Sequence, residues 1–362
     1  MSARQRHGAD QRGVGLMEVM ISIVIGMLLV LVIYQVYEVS EGQKRTITGG
    51  SDAQQNATYG LYVMGRDISM GGNGIASSAS VLDTCALLRP IPVLIEAGAD
   101  DNTPDKITVL YGGSHTLSTP VQLKQNATGA QPYVVPGPVA FSAHPTDANK
   151  VDVVVAVQGA TCTISTVNPG GIAVDATTGF ATITHTPVAG PAGATYNAVS
   201  ATLVNLGQAG AMGKVAYTVD TTTHALRTQS LLPTAGPVNP VINDVVNLKA
   251  QYGVDTDADG SIDVWQDAAG AWSAASLPLP ATLLTTLQQI RAVRVAIVTR
   301  SAQYEKEPIT AGTPPGMGDG KIGMFCEPAP TCAFTMTLSA DNQHYRYRVL
   351  ETSIPLRNAL WN

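Results

Sequence analysis

The segment Asp255–Asp263 (DTDADGSID) is the candidate for site chemistry in this sequence. Asp255, Asp257 and Asp259 stand at alternate positions, Gly260 follows, and Asp263 takes the ninth place. This is the first part of an EF-hand-type calcium loop. Alternating side chains in a tight turn converge on one centre, the glycine permits the bend, and Ser261 offers its backbone carbonyl. The twelfth place is Gln266, not a bidentate glutamate, and no helix pair is predicted around it. The expectation is a structural calcium held loosely by a strand-to-strand loop. The competing reading is an acidic, solvated turn that binds nothing.

The four cysteines suit an oxidising compartment. Cys326 and Cys332 enclose only EPAPT, which favours a local bridge and leaves Cys85 to pair with Cys162. Three connectivities exist for four cysteines, and sequence alone does not select among them. Zinc is the competing chemistry, but close C-x-x-C pairs and nearby histidines are missing. His7, His115, His144, His185, His224 and His344 are dispersed, and there is no H-E-x-x-H. GAMGK at 210–214 lacks the spacing of a phosphate loop, and no G-x-S-x-G elbow occurs. The chain is therefore expected not to be an enzyme. A net charge of −6 gives no basic footprint for nucleic acid.

What must position these groups begins at the N-terminus. Residues 1–13 are polar, with Arg4, Arg6 and Arg12 against Asp10. An apolar run from Val14 to Tyr37 follows, interrupted by a single charge, Glu18. As a helix this run would span roughly 36 Å at about 1.5 Å per residue, enough to cross a bilayer core of about 30 Å. The basic segment should stay cytoplasmic and the C-terminal bulk should lie outside. A carboxylate at membrane depth costs about 2.5–3.5 kcal/mol on insertion scales, so Glu18 needs a partner or a function. No small-residue cleavage site follows Tyr37, as a secretory signal would require. Instead Ala57, Leu61, Met64 and Ile68 recur at helical spacing and form one apolar stripe. Gly42, Gly49 and Gly50 lie between, and bending or melting is expected there.

A basic leader, Gly13, and a hydrophobic run with glutamate at its fifth position resemble the class III signal of type IV prepilins. The resemblance implies that a prepilin peptidase cuts between Gly13 and Val14, on the cytoplasmic side, and methylates Val14. Val14 stands where phenylalanine is usual, which favours a minor subunit over a major pilin. Glu18, one helical turn along, is placed to neutralise the new terminal amine in its own chain or a neighbour's.

Beyond Gly71–Gly74 short strands are predicted. KITVLYG alternates at Ile107, Val109 and Tyr111, Lys150–Gly159 reads as a buried strand, and 215–220 with 225–230 reads as a hairpin across TTTH. Pro132–Pro145 and Asn168–Gly193 read as Pro/Gly/Thr-rich loops. A short helix is predicted at Ala281–Gln289, then strands at IRAVRVAIVTRS and from Tyr345 onward. NDVVNLKAQYGVDTDADGSIDVWQ, IRAVRVAIVTRS and YRYRVLETSIPLRN resemble the C-terminal part of PilW-type minor pilins. The expected fold is α+β and pilin-like, with a long N-terminal helix packed on a large antiparallel sheet domain. Its parts are a leader (1–13), a membrane and filament-core helix (14–37), an amphipathic second half (38–72) and a β-rich globular region (73–362).

The resemblance implies a minor pilin that helps initiate type IV pilus assembly in a tip or priming complex, supporting motility or adhesion. Its implied partners are other minor pilins, the major pilin, the prepilin peptidase and the inner membrane. Its implied places are the inner membrane and then the fibre tip. Two alternatives stand beside it. One is a minor pseudopilin of type II secretion. The other is a membrane-tethered calcium-binding or hydrolytic domain, which requires an uncleaved Gly13–Val14 bond.

Overall fold

A computed structural model describes residues 15–113, 119–278, 283–310 and 312–357. The leader and the Gly13–Val14 bond lie outside the described residues. One helix, α1 (Leu16–Met70), runs from the apolar segment into the globular region without a break. The helix does not melt at Gly42, Gly49 and Gly50. A break would leave two shorter helices, each needing its own unfavourable nucleus, whereas continuation only adds hydrogen bonds to a ladder already formed. The stop comes at Gly71, whose N–H bonds to the Ile68 carbonyl. Gly72 and Gly74 follow at φ 78° and 66°, a region that side chains with a Cβ disfavour.

The second half of α1 buries Ala53, Ala57, Met64 and Ile68, with Leu61 half-buried at the flank. Gly60 completes this stripe for a steric reason. A Cβ there would stand 2.6 Å from Ile242 Cδ1 and 3.2 Å from Ile297 Cδ1, so helix and sheet touch most closely at this turn.

After a short helix, α2 (Ala79–Leu82), the chain forms β1 (Val93–Glu96) and β2 (Lys106–Tyr111). It then departs into β3 (Val121–Gln122), β4 (Ala127–Thr128), β5 (Tyr133–Val135), β6 (Asp152–Gln158), β7 (Thr161–Val174), β8 (Ala181–Ala189), β9 (Thr195–Tyr196) and β10 (Thr202–Gln208). It returns as β11 (Gly213–Asp220), β12 (Ala225–Ser230), β13 (Val238–Asn243), β14 (Val245–Val254) and β15 (Val264–Asp267). Helix α3 (Leu283–Gln289), β16 (Ile290–Arg300), the hairpin β17 (Lys321–Met324) and β18 (Phe334–Thr337), and β19 (Tyr347–Pro355) complete the fold. The start of the expected 281–289 helix falls outside the described residues.

Two antiparallel sheets make the base, ordered β1-β2-β11-β12-β13 and β15-β14-β16-β19. They enclose one core with the stripe of α1, built from Ile95, Ile107, Tyr217, Leu248, Tyr252, Val293 and Ile297 among others. The β11–β12 hairpin turns across Thr221–His224 with Asp220 opposite Ala225. The outer face of the second sheet is covered by the β17–β18 hairpin through Val298, Met324, Phe325 and Leu338.

Between β2 and β11 lies an insert with its own six-stranded sheet, β3-β10-β6-β7-β8-β5. Because Tyr111 pairs directly with Gly213, the insert leaves and rejoins the base at one spot. One face of its sheet has a separate core around Tyr133, Val154, Ile183 and Tyr196. The other packs Val153, Val155 and Val204 against Ile75, Leu82 and Leu88 of the segment after α1. Cys85 and Cys162 form a disulfide across that contact. Two loop expectations fail here. Asn168–Gly193 holds most of the β7–β8 pair, and Pro132–Pro145 contains β5. Near the C-terminus the strand begins at Tyr347, not Tyr345.

Candidate functional site

The largest unpartnered surface is the first half of α1. From Leu16 to Tyr37 nearly every side chain is exposed, Leu16 at 80% and Ile33 at 66%. The most apolar 18-residue window has a mean hydropathy of 2.8 and none of it is buried. In water so large an apolar surface would drive aggregation, so a bilayer or other helices must cover it. Glu18 sits in the first turn of this helix, with its N–H on the Gly15 carbonyl. A carboxylate there also complements the positive end of the helix dipole.

Where α1 meets the sheet, its far end is held by a buried polar latch. Asp67, 4% exposed, accepts a 2.6 Å hydrogen bond from the Tyr217 hydroxyl and an ion pair at 3.1 Å from Arg66. Burial, reinforced by the neighbouring Asp67 carboxylate, pushes the Tyr217 hydroxyl far above the ordinary tyrosine range. The sequence reading missed this latch. Its signal was available, since Asp67 falls three residues after Met64 and lies on the apolar stripe.

The acidic loop joins β14 to β15, strands paired from Gln251–Asp267 to Val254–Val264. Ligand oxygens of Asp255, Asp257 and Asp263 lie within 4.8 Å of one another. Asp259 is outside that group, its Oδ1 accepting from the Ser261 N–H. Asp255 is buried and its carboxylate is already engaged by Arg291 at 2.9 Å and by the amides of Ala258 and Gly260. Burial alone would raise its pKa, but the Gly260 amide, Arg291 and Ala258 outweigh that and hold it below the usual carboxylate range. Asp263 is held low chiefly by the Thr256 hydroxyl and amide. The three carboxylates could hold a hard cation, in competition with Arg291, which already neutralises Asp255. Arg291 is 36 residues along the chain from Asp255, and no local spacing reveals it.

The second disulfide, Cys326–Cys332, closes the loop between β17 and β18. Phe325, beside it, packs against the guanidinium of Arg294, which stacks on Trp265 as well. The Phe325 N–H donates to Glu351 at 2.6 Å. These contacts tie the hairpin to β15, β16 and β19.

Two family models match the chain. Residues 8–34 match the prokaryotic N-terminal methylation motif, and residues 215–358 match the type IV pilus-assembly protein W family. No curated protein matches. A solved type IV-like pilin from Thermus thermophilus is similar at 10% identity, over 84% of this chain and 96% of that one, with a TM-score of 0.37. That likeness is too distant to build on. The signal and the long helix packed on antiparallel sheets define a type IV pilin-like subunit, an architecture of structural proteins. The match over the base strands from β11 to β19 supports a PilW-type minor pilin. The insert, 114–212, lies outside both matched regions.

Proposed function

We propose that this subunit helps initiate type IV pilus assembly from within a tip or priming complex of minor pilins. The observation that carries the reading is the insert. It adds a second sheet and core to the side of a pilin base, and such bulk opposes repeated close stacking along a filament. A position at the end of the fibre relieves that conflict. Before assembly the apolar stem holds the chain in the inner membrane with the globular region on the periplasmic side. A prepilin peptidase cuts after Gly13 and methylates Val14. The stem then packs against the stems of other minor pilins and of the major pilin, with Glu18 neutralising a terminal amine.

Deleting the gene tests this. Surface pili should vanish while the major pilin stays in the membrane, and pili should return with the wild-type gene but not with Glu18→Ala. Normal piliation in the deletion strain would remove the initiation role.

A further inference from the structure

The longest open sheet edge in the base belongs to β19. Its register with β16 runs from Ala292↔Pro355 to Arg300↔Tyr347. The phase of the ladder is fixed at both ends, because Ser301 N–H donates to the Arg346 carbonyl and Leu356 N–H to the Arg291 carbonyl. In an antiparallel pair, hydrogen-bonded residues alternate with outward-facing ones. Arg348, Leu350, Thr352 and Ile354 therefore bond to β16. Tyr347, Val349, Glu351 and Ser353 turn their N–H and C=O groups away from it. Among the described residues none bonds to those outward backbone groups. The other base edges are shorter: β1 and β15 have four residues each and β13 carries Pro240. Open edges are normally blunted by proline, lysine or a bulge. Here the first proline is Pro355, at the last position, and Glu351 is drawn aside onto the Phe325 amide.

We propose that this edge receives an extended strand from a different pilin subunit, adding a fifth strand to the β15-β14-β16-β19 sheet. The proposal rests on the minor-pilin reading, and the occupant follows from the direction of α1. Gly49 lies against Ser301, Ala53 accepts from Thr299, and Gly60 approaches Ile297. The helix thus runs against β16 and along β19. Antiparallel self-pairing of β19 would relate two copies by a twofold axis that reverses the strand and, with it, the stem. Two stems anchored in one membrane must point the same way, so a second copy paired in this manner is excluded. A partner whose own stem runs parallel to α1 meets no such conflict. The neighbouring surface is suited to receive it. Gly65 lies against Ile354, and Thr58 and Tyr62 precede Gly65 by seven and three residues, which places them on the same flank. They line a shallow groove with Ser51, Gln54, Gln55 and Tyr59, where Tyr62 is 68% exposed. Backbone pairing supplies general affinity and the groove supplies selection, the division of labour in strand addition.

The test is hydrogen exchange on the full chain in detergent, alone and in the complex isolated with co-expressed pilin subunits. Exchange at Val349, Glu351 and Ser353 should slow by about tenfold or more in the complex. A full chain carrying Val349→Pro and Ser353→Pro loses two outward donors, leaves the β16 ladder intact, and should not enter the complex. A complex in which those amides exchange as fast as in the free chain overturns the edge assignment alone, as does normal assembly of the folded double variant. If the double variant does not fold, the wild-type exchange decides. If the leader stays uncleaved and no pilin associates, the minor-pilin reading fails and this proposal falls with it.

Discussion

Replacing Tyr217 by phenylalanine removes a single atom, the hydroxyl that donates at 2.6 Å to Asp67. A hydrogen bond to an ionised partner contributes about 1.5–3 kcal/mol. Asp67 then keeps Arg66, but that side chain is 64% exposed and its ion pair is screened, worth about 0–1 kcal/mol. For a folded region of roughly 290 residues, an unfolding entropy of about 2.1 cal/mol/K per residue turns this loss into a melting-temperature drop of about 2.5–5 °C. Calorimetry of the full chain in detergent at neutral pH measures it. The same residue sets a pH dependence. Its folded pKa is raised, first by burial and then by Asp67, whereas the unfolded hydroxyl titrates near 10. Below pH 10 both states hold the proton and the stabilisation is complete. Above it only the unfolded state releases the proton, so stability falls as pH climbs. Tyr217→Phe should therefore melt earlier at pH 7 and lose less on going to pH 11. A variant that melts within 1 °C of wild type and shows the same alkaline decline would refute the latch.

Three further outcomes are expected. Gly60→Val should destabilise the helix–sheet contact by about 1–3 kcal/mol, because its first carbon already meets two isoleucine methyls; an unchanged denaturation midpoint would show that Ile242 and Ile297 swing aside freely. Cys85→Ser with Cys162→Ser should cost about 2–5 kcal/mol and expose the insert to proteolysis before the base; simultaneous digestion of both would mean the bridge does not govern their coupling. Calcium should bind the acidic loop with a dissociation constant of about 10⁻⁴–10⁻³ M and lose its heat in Asp257→Asn; no heat and no thermal shift with millimolar calcium would remove the ion.

Periodicity made α1 readable, because a stripe at three- and four-residue steps has one structural solution. The β11–β12 hairpin was equally legible from its turn and its flanking alternation. The β7–β8 pair was not. Its register shifts between Val167 and Ile172, where Asn168, Pro169, Gly170 and Gly171 form the irregularity, and that composition reads as a loop. The outer face of β14 shows a different obstacle. Asn247, Lys249 and Gln251 alternate with apolar residues as though facing water, yet all three are buried, Lys249 beside Phe334 of β18. Lys249 is tolerated there because Asp105 pairs with it at 3.0 Å. In the acidic loop the spacing named four carboxylates, of which three converge. The counter-ion Arg291 comes from another strand and is visible only in three dimensions.

The attachment of the insert has a consequence for diversification. Entry and exit sit on Tyr111 and Gly213, direct neighbours across two hydrogen-bonded strands. A chain that departs and returns through one doorway leaves the hallway unchanged. Whatever module is grafted there can grow, shrink or be exchanged while the stem and base keep the shape their assembly partners read. The insert and the stem with its base are thus free to change at different speeds within one polypeptide.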